Sequence, residues 1–503
     1  MSHDSSIPNG VPKGKKGRFI VVGAGYGGLA AAIELRLNGH DVEVIEATKN
    51  LTLKEDRGSD VGLGDTLQLT SYCTRLMSRW GNVLQQAIDV APVYPDMTYL
   101  NWKGERILEA PLPPTIGGFP VLFPSRGLVQ QLIYNYAVEL GVKFRFGFRV
   151  TQFHEDDDSA GVYIGGELLK ADAVIGADGV HSKARQFVTG KADAPRTSGG
   201  AVYRAYFDLD LLANDPLTKH LVEADRDLFL LWVGPSIHII VQTNRKLRKC
   251  TCLFTHRQTV SSSESWENLG SVPYALELLK GWDPVLIAVV SHIPTETFID
   301  WTLLWRDPAR PWVSPKGRMI ISKRLPVALL MSIIMNPTNS RLVGDAAHPH
   351  IPSSGAGAAQ ATEDGSTIAA MIDVTGVEDV PLALRATEKL RYERTSLTQR
   401  LGWETRHRWQ QTDWDAVKRN PELLRFPMPG WLYDANARQY AYENAEAVIA
   451  HIKTGAPFIN TNIPEGHVHQ EWTMDEAVAL LGSSKPEEVF LVDNTLTPSD
   501  KAV

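Results

Sequence analysis

The chain has 503 residues, 43% of them hydrophobic and 22% charged, enough for about two or three domains around a large buried core, which excludes disorder, collagen and small disulfide scaffolds. The formal net charge of −7, from 51 Lys and Arg against 58 Asp and Glu, leaves no basic excess to meet a nucleic-acid backbone or an anionic membrane, so a small-molecule partner is expected. Cys73, Cys250 and Cys252 cannot make a fully paired disulfide framework, and Cys-x-Cys without neighbouring His or Cys is no zinc site; a reduced, cytoplasmic compartment and no metal are expected.

Residues 1–16 are polar, rich in Ser, Pro, Gly and Lys, and lack the apolar centre of a signal peptide, so they read as a disordered arm. Arg18 to Val22 is a β-branched run that meets Gly23-Ala24-Gly25-Tyr26-Gly27-Gly28, followed by an Ala/Leu-rich helix to Leu37 and a second strand, Asp41 to Ile45, that ends at Glu46. In such a unit the first glycine permits the tight turn, the second lets backbone approach a pyrophosphate, and the third lets helix and strand pack closely. The phosphates then sit on the helix N-terminus. Glu46, eighteen residues beyond Gly28, would accept from a ribose, so the unit predicts a dinucleotide site.

Further along, Ala173-Val174-Ile175 runs into Gly176-Ala177-Asp178-Gly179, and Arg341-Leu342-Val343 runs into Gly344-Asp345-Ala346-Ala347-His348. Each is an apolar strand ending in a Gly/Asp turn. Between them Val202–Asp208, Leu228–Val233, Ile237–Thr243 and Thr251–His256 alternate like strands of an inserted sheet. Gly355-Ala356-Gly357 opens a helix from Ala358 to Met371, and Pro381 to Ile452 reads as mainly helical, with an aromatic face at Trp403, Trp409 and Trp414. The tail beyond Pro464 reads as peripheral. The longest strongly apolar stretch, Leu325 to Met335, falls short of the about 20 residues a bilayer needs, so no membrane anchor is predicted.

Taken together, the three turns resemble the class A flavin-dependent monooxygenases, the family of para-hydroxybenzoate hydroxylase and salicylate hydroxylase, and most of all its fungal salicylate-hydroxylase-like members; the likeness runs from about Phe19 to Trp414. It implies an α/β chain with a Rossmann-type FAD-binding domain in two parts (17–200 and 301–375), an inserted β-sheet substrate domain (201–300) and a helical C-terminal region (376–503). Gly23, Gly25, Gly28 and Glu46 match the family's ADP-binding turn and ribose acid, Arg126 an arginine at a helix start that contacts FAD, and Asp178 an aspartate serving FAD and NAD(P)H. Asp345 matches the ribityl-binding aspartate, Ala358 a backbone contact beside the flavin ring, and Gly64 a further backbone contact. Thr70-Ser71-Tyr72 departs from the Pro-Asn pair common there.

The chemistry so implied is reduction of FAD by NAD(P)H, addition of O2 to give a C4a-hydroperoxyflavin, and oxygen transfer to a phenolic or polycyclic substrate in fungal secondary metabolism. Such a transfer is helped by a cation at a phenolate oxygen, and Arg204, on the first strand after the Asp178 turn, is the catalytic candidate. Tyr203 falls on the opposite face of a regular strand, Gln242 stands where relatives often carry Tyr, and His238 could donate or accept a hydrogen bond. His348 reads as structural. A flavin-dependent epoxidase and a flavin halogenase are the alternative enzymes; the Trp-x-Trp-x-Ile-Pro string expected of the halogenase is absent from the sequence.

One feature argues for an FAD-binding protein without turnover. Gly317-Arg318-Met319-Ile320-Ile321 begins the strand that should lead straight into Gly344-Asp345, yet Arg341-Leu342-Val343 begins it again. Residues 322–343 are therefore predicted to derive from a retained intron: their residues permit splice-donor, branch and acceptor sequences, and excision preserves the reading frame.

Overall fold

The computed structural model describes residues 15–51, 65–191, 195–257, 264–322 and 346–483. Gly64, Asp345 and nearly all of the 322–343 segment lie outside the described residues. The first β-branched run forms the strand Arg18–Val22, buried from Phe19 onward. It is the middle of a five-stranded parallel sheet ordered Met319–Ile321, Ala173–Gly176, Arg18–Val22, Asp41–Glu46, Lys143–Phe146. A parallel sheet buries both faces, which is why the strands Arg18–Val22, Ala173–Gly176 and Met319–Ile321 read as largely continuous apolar runs. The helix Tyr26–Leu37 leaves the glycine turn and packs against the helix Gly357–Thr375. Their backbones touch: a Cβ added to Gly365 would lie 2.5 Å from the backbone nitrogen of Ala31.

An eight-stranded sheet runs in the order Glu264–Leu269, Ile299–Trp305, Arg196–Asp208, Lys249–Arg257, Ile237–Asn244, Phe229–Gly234, Asp96–Asn101, Arg106–Pro111. The last two strands come from well before residue 201, because Asp96–Asn101 pairs in parallel with Phe229–Gly234. Period-two alternation gives this sheet two faces. On the back, Tyr203, Ile239, Val241 and Phe254 form one core with the helices Val272–Leu278 and Pro284–Ser291. The front face closes a cavity.

The long helix Val380–Gln410 brings Arg391 and Arg394 inside the molecule. Arg391 Nε donates to Asp364 at 3.0 Å and its Nη1 to Glu363 at 2.6 Å, and Arg394 Nε donates to Glu363 at 3.0 Å. Burial alone would raise the Glu363 carboxyl, but the two guanidinium groups win and hold it below its ordinary range. Removing one partner of such a network leaves an uncompensated buried charge, a cost of about 3–5 kcal/mol. The tail is not peripheral as expected: the Trp472 indole donates to Ser396 Oγ at 2.8 Å, and the Met474 backbone N–H donates to the Asp307 carboxylate at 2.8 Å. Trp472 also joins the edge-to-face pair Trp305 and Trp403, whose centroids lie 4.7 Å apart.

Candidate active site

At the glycine turn Gly23 adopts φ +106°, a conformation side chains resist, and its N–H donates to the Ile45 carbonyl at 2.7 Å. Gly25 caps the helix Tyr26–Leu37 with no side-chain hydrogen bond. A Cβ on Gly28 would fall 1.9 Å from the Gly23 carbonyl oxygen, so only glycine permits this packing of turn on helix. The Glu46 carboxylate is fully buried and accepts from the Ala24 N–H at 2.7 Å and the Thr48 N–H at 2.9 Å. The acid is thus fixed against the turn, as holding a ribose requires. Tyr26 Oη donates to the Arg126 carbonyl at 2.7 Å, and Gln130 donates to the Ala24 carbonyl at 2.9 Å, tying the helix Arg126–Glu139 to the same turn.

A cavity of about 210 Å³ lies against the front of the eight-stranded sheet. Val202, Arg204, His238, Ile240, Gln242 and Leu253 reach it from three neighbouring strands, since Arg204, Leu253 and Ile240 are in register. Tyr203 lies on the opposite face, as expected. Trp301, Trp409 and Phe426 close other sides, so Trp409 is both a packing residue and a wall of the cavity. Its ring meets that of His238 edge-on at 5.2 Å. Burial, then the charge of Arg406, pushes the His238 imidazole down to about 3, so it stays neutral at working pH; its Nδ1 has no hydrogen-bond partner.

Asp65 was not singled out in the sequence, and no local pattern marks it. Only 3% exposed, it lies between two arginines of the cavity wall. Its Oδ2 is 3.1 Å from Arg204 Nη1, its Oδ1 is 3.4 Å from Arg126 Nε, and its carbonyl accepts from the Arg126 N–H at 2.9 Å. Burial brings Arg126 down to about 10, with the attraction of Asp65 opposing the shift and the charge of Arg204 adding to it. The Arg204 guanidinium also lies over the Trp301 ring, 5.6 Å from its centroid.

Gly357 and Ala358 line the cavity at the start of the helix Gly357–Thr375, which no side chain caps among the described residues. An uncapped helix start at a cavity wall stabilises negative charge brought to it. Asp178 is not among the cavity residues; its carboxylate caps the helix Lys183–Thr189, accepting from Ser182 Oγ at 2.6 Å and from the N–H groups of Lys183 and Ala184 at 2.8 and 3.1 Å. Arg185, which the sequence reading passed over, donates to the carbonyls of Ala346, Ala347 and Asp307, and so ties this helix to the turn after Asp345. His348 is buried and bonds Asp364 at 2.7 Å, a structural role.

The chain therefore carries a glycine turn with a fixed ribose acid at one end and an uncapped helix start beside an apolar cavity at the other. This donor set fits FAD, with Gly23, Gly25, Gly28 and Glu46 able to hold the adenosine end and Arg126 and Ala358, which line the cavity, able to meet the rest of the cofactor. A family model described as FAD binding domain matches residues 18–261. The chain is 30% identical over 478 residues to the FAD-dependent monooxygenase fsr3 of Gibberella fujikuroi, covering 91% of this chain and 85% of that protein. Among solved structures it is similar to CtdE in complex with FAD and a substrate, with TM-score 0.76, 28% identity, and 87% of this chain and 100% of that one covered. A salicylate hydroxylase substrate complex shares the fold, with TM-score 0.64 at 18% identity over 86% of this chain and 98% of that one. The chain belongs to the FAD-dependent monooxygenases, as the resemblance drawn from its turns implied, and shares the fold of salicylate hydroxylase. Among the described residues, no helix is long and apolar enough to cross a membrane.

Proposed function

We propose that this monooxygenase hydroxylates a phenolic or polycyclic small molecule in fungal secondary metabolism, in the cytoplasm, with NAD(P)H as co-substrate and O2 as oxidant. One oxygen atom enters the product and the other leaves as water, the two electrons coming from NAD(P)H. The observation that carries this reading is the cavity, which places aromatic walls and Arg204 against the uncapped start of the helix Gly357–Thr375. Bound FAD supplies the redox chemistry and the activation of oxygen. The chain supplies the rest. Gly23, Gly25, Gly28 and Glu46 bind the adenosine end, with Gly64 as a further backbone contact. Arg126, Asp178, Asp345 and Ala358 serve the remainder of the cofactor, Asp178 by fixing the turn that precedes its helix, and Ala358 through the N-terminal amides that receive negative charge. Arg204 touches the substrate from the sheet. Residues 17–200 and 301–375 form the FAD-binding parts apart from the strands Asp96–Asn101 and Arg106–Pro111, which join 201–300 in the substrate sheet, and 376–483 cover both.

Purified protein should be yellow with FAD and should oxidise NAD(P)H faster when a suitable aromatic is added, with mass spectrometry showing a product heavier by one oxygen. FAD binding without any NAD(P)H oxidation across a panel of phenolic and polycyclic aromatics would overturn the hydroxylase reading in favour of a flavin-binding protein without turnover.

A further inference from the structure

The cavity has an unusual charge arrangement for a site expected to hold a phenolate. Arg204, the cation placed there for that purpose, is already 3.1 Å from the Asp65 carboxylate, itself almost wholly buried in the same wall. Among the described residues, two arginines and one carboxylate meet here. On the reading above, Arg126 is turned to the cofactor, whose pyrophosphate brings its own negative charge. Arg204 and Asp65 then balance one to one. An anionic substrate drawn to Arg204 would sit within a few ångströms of a second buried negative charge, where screening by water is weak. His238 is neutral, and Gln242, which accepts a hydrogen bond from Thr66 Oγ1, is neutral too. His350, whose Nδ1 bonds the His348 carbonyl at 2.8 Å, also lines the cavity, and the rest of the wall is largely aromatic and aliphatic.

We propose that Asp65 is a specificity-determining residue that occupies Arg204 with its carboxylate, so that the cavity takes an uncharged polycyclic aromatic bearing neutral hydrogen-bonding groups and rejects carboxylates and phenolates. This rests on the hydroxylase reading and narrows its substrate to the uncharged polycyclic class. Arg204 then acts on the substrate as a hydrogen-bond donor on an aromatic shelf, with its net charge already matched, and the electron-rich carbon belongs to a ring that needs no ionisation before it reacts. Asp65 acts through Arg204 and does not itself touch the reacting atoms.

The test is calorimetric titration of the FAD-reconstituted chain with 2-naphthamide and 2-naphthoate at pH 7.5, two ligands of one shape and different charge. The wild type is expected to bind the amide at least tenfold more tightly than the carboxylate. Asp65→Asn keeps the size of the side chain and removes its charge; it should tighten naphthoate binding about tenfold and change naphthamide binding less than threefold, whereas Asp65→Glu should restore the wild-type preference. A purely structural Asp65 would weaken both ligands together. Naphthoate binding the wild type as well as naphthamide, an unchanged ratio in Asp65→Asn, or no heat from either ligand up to its solubility overturns the proposal. The flavin absorbance of the same samples reports FAD binding separately, so failure of the hydroxylase reading is seen apart from failure of this one. If Asp65→Asn does not fold, the wild-type ratio alone decides.

Discussion

Replacing Gly28 with alanine tests the dinucleotide turn at its tightest point. The new methyl would lie 1.9 Å from the Gly23 carbonyl oxygen and 3.1 Å from its carbonyl carbon, roughly 1 Å inside the closest approach that Cβ atoms make. Both are backbone atoms in a turn already fixed by the Gly23 N–H bond to Ile45, so no rotamer change can relieve the clash. The helix Tyr26–Leu37 must move off the strand by about that distance, against a buried face and the backbone contact with Gly365. Overpacking of this kind costs about 1–3 kcal/mol, and a backbone clash belongs at the upper end. Because the displaced element carries the amides proposed to meet the cofactor's phosphates, most of that penalty should fall on cofactor binding, and about 3 kcal/mol corresponds to roughly a hundredfold weaker FAD. Fluorescence titration of the apoprotein with FAD measures it, beside a thermal melt. Gly430→Ala is the matched control, since a methyl there meets nothing within 4 Å and the residue has no positive φ. An FAD affinity in Gly28→Ala equal to that of the control would refute the packing argument.

Asp178→Ala removes three hydrogen bonds from the start of the helix Lys183–Thr189 and should lower stability by about 1–2 kcal/mol, as losing an N-cap does; a melt with unchanged midpoint would show the cap to be idle. His238 titrates near 6.5 when unfolded and near 3 when folded, so between those values the unfolded chain binds more protons and stability falls as pH drops. At pH 5 the gap of about 1.5 pH units from the unfolded value is worth about 2 kcal/mol, and His238→Phe should remove that share of the loss seen between pH 7 and pH 5. Equal pH slopes in the two proteins would count against a buried neutral imidazole.

The parts of this architecture that could be read from sequence are those written in local spacing. Strand, glycine turn, helix and acid fall within one short stretch, where Gly23 takes a positive φ and Gly28 makes a contact only glycine allows. Period two likewise separates Arg204 from Tyr203 on sequence alone. Asp65, Trp301, Trp409 and Phe426 reach the cavity from segments far apart in sequence, and nothing local announces a residue whose role is set by what it meets across the fold. Asp65 follows directly on Gly64, a position given only a backbone role, and its partnership with Arg204 joins a segment outside any strand to the strand Arg196–Asp208. Trp472 was passed over for the same reason: one aromatic in a polar tail has no periodicity, yet it fills a tryptophan cluster.

The described residues also sharpen the expectation that 322–343 is foreign to the functional enzyme. The strand Met319–Ile321 pairs with Val174–Gly176, and the Ser322 N–H still donates to Gly176 at 2.9 Å, so the chain is in register up to that residue. Beyond Asp345, the carbonyls of Ala346 and Ala347 are held by Arg185, and the Ala347 carbonyl also accepts from the Ala309 N–H. Ser322 Oγ lies 3.3 Å and His348 Nε2 lies 2.7 Å from one and the same oxygen of Asp364, so those two side-chain atoms are no more than about 6 Å apart. A segment of more than twenty residues separates two points that a few residues could join, at about 3.3–3.6 Å of reach each. Replacing 322–343 by a single isoleucine leaves Met-Ile-Ile-Ile-Gly-Asp-Ala-Ala-His, one strand running directly into the turn that the ribityl chain requires. The shortened chain should bind FAD more tightly and melt at a higher temperature than the 503-residue chain, and sequencing the mature transcript should show the segment removed. Stoichiometric FAD binding and turnover by the full 503-residue chain, together with a message that retains the segment, would establish it as a genuine insertion.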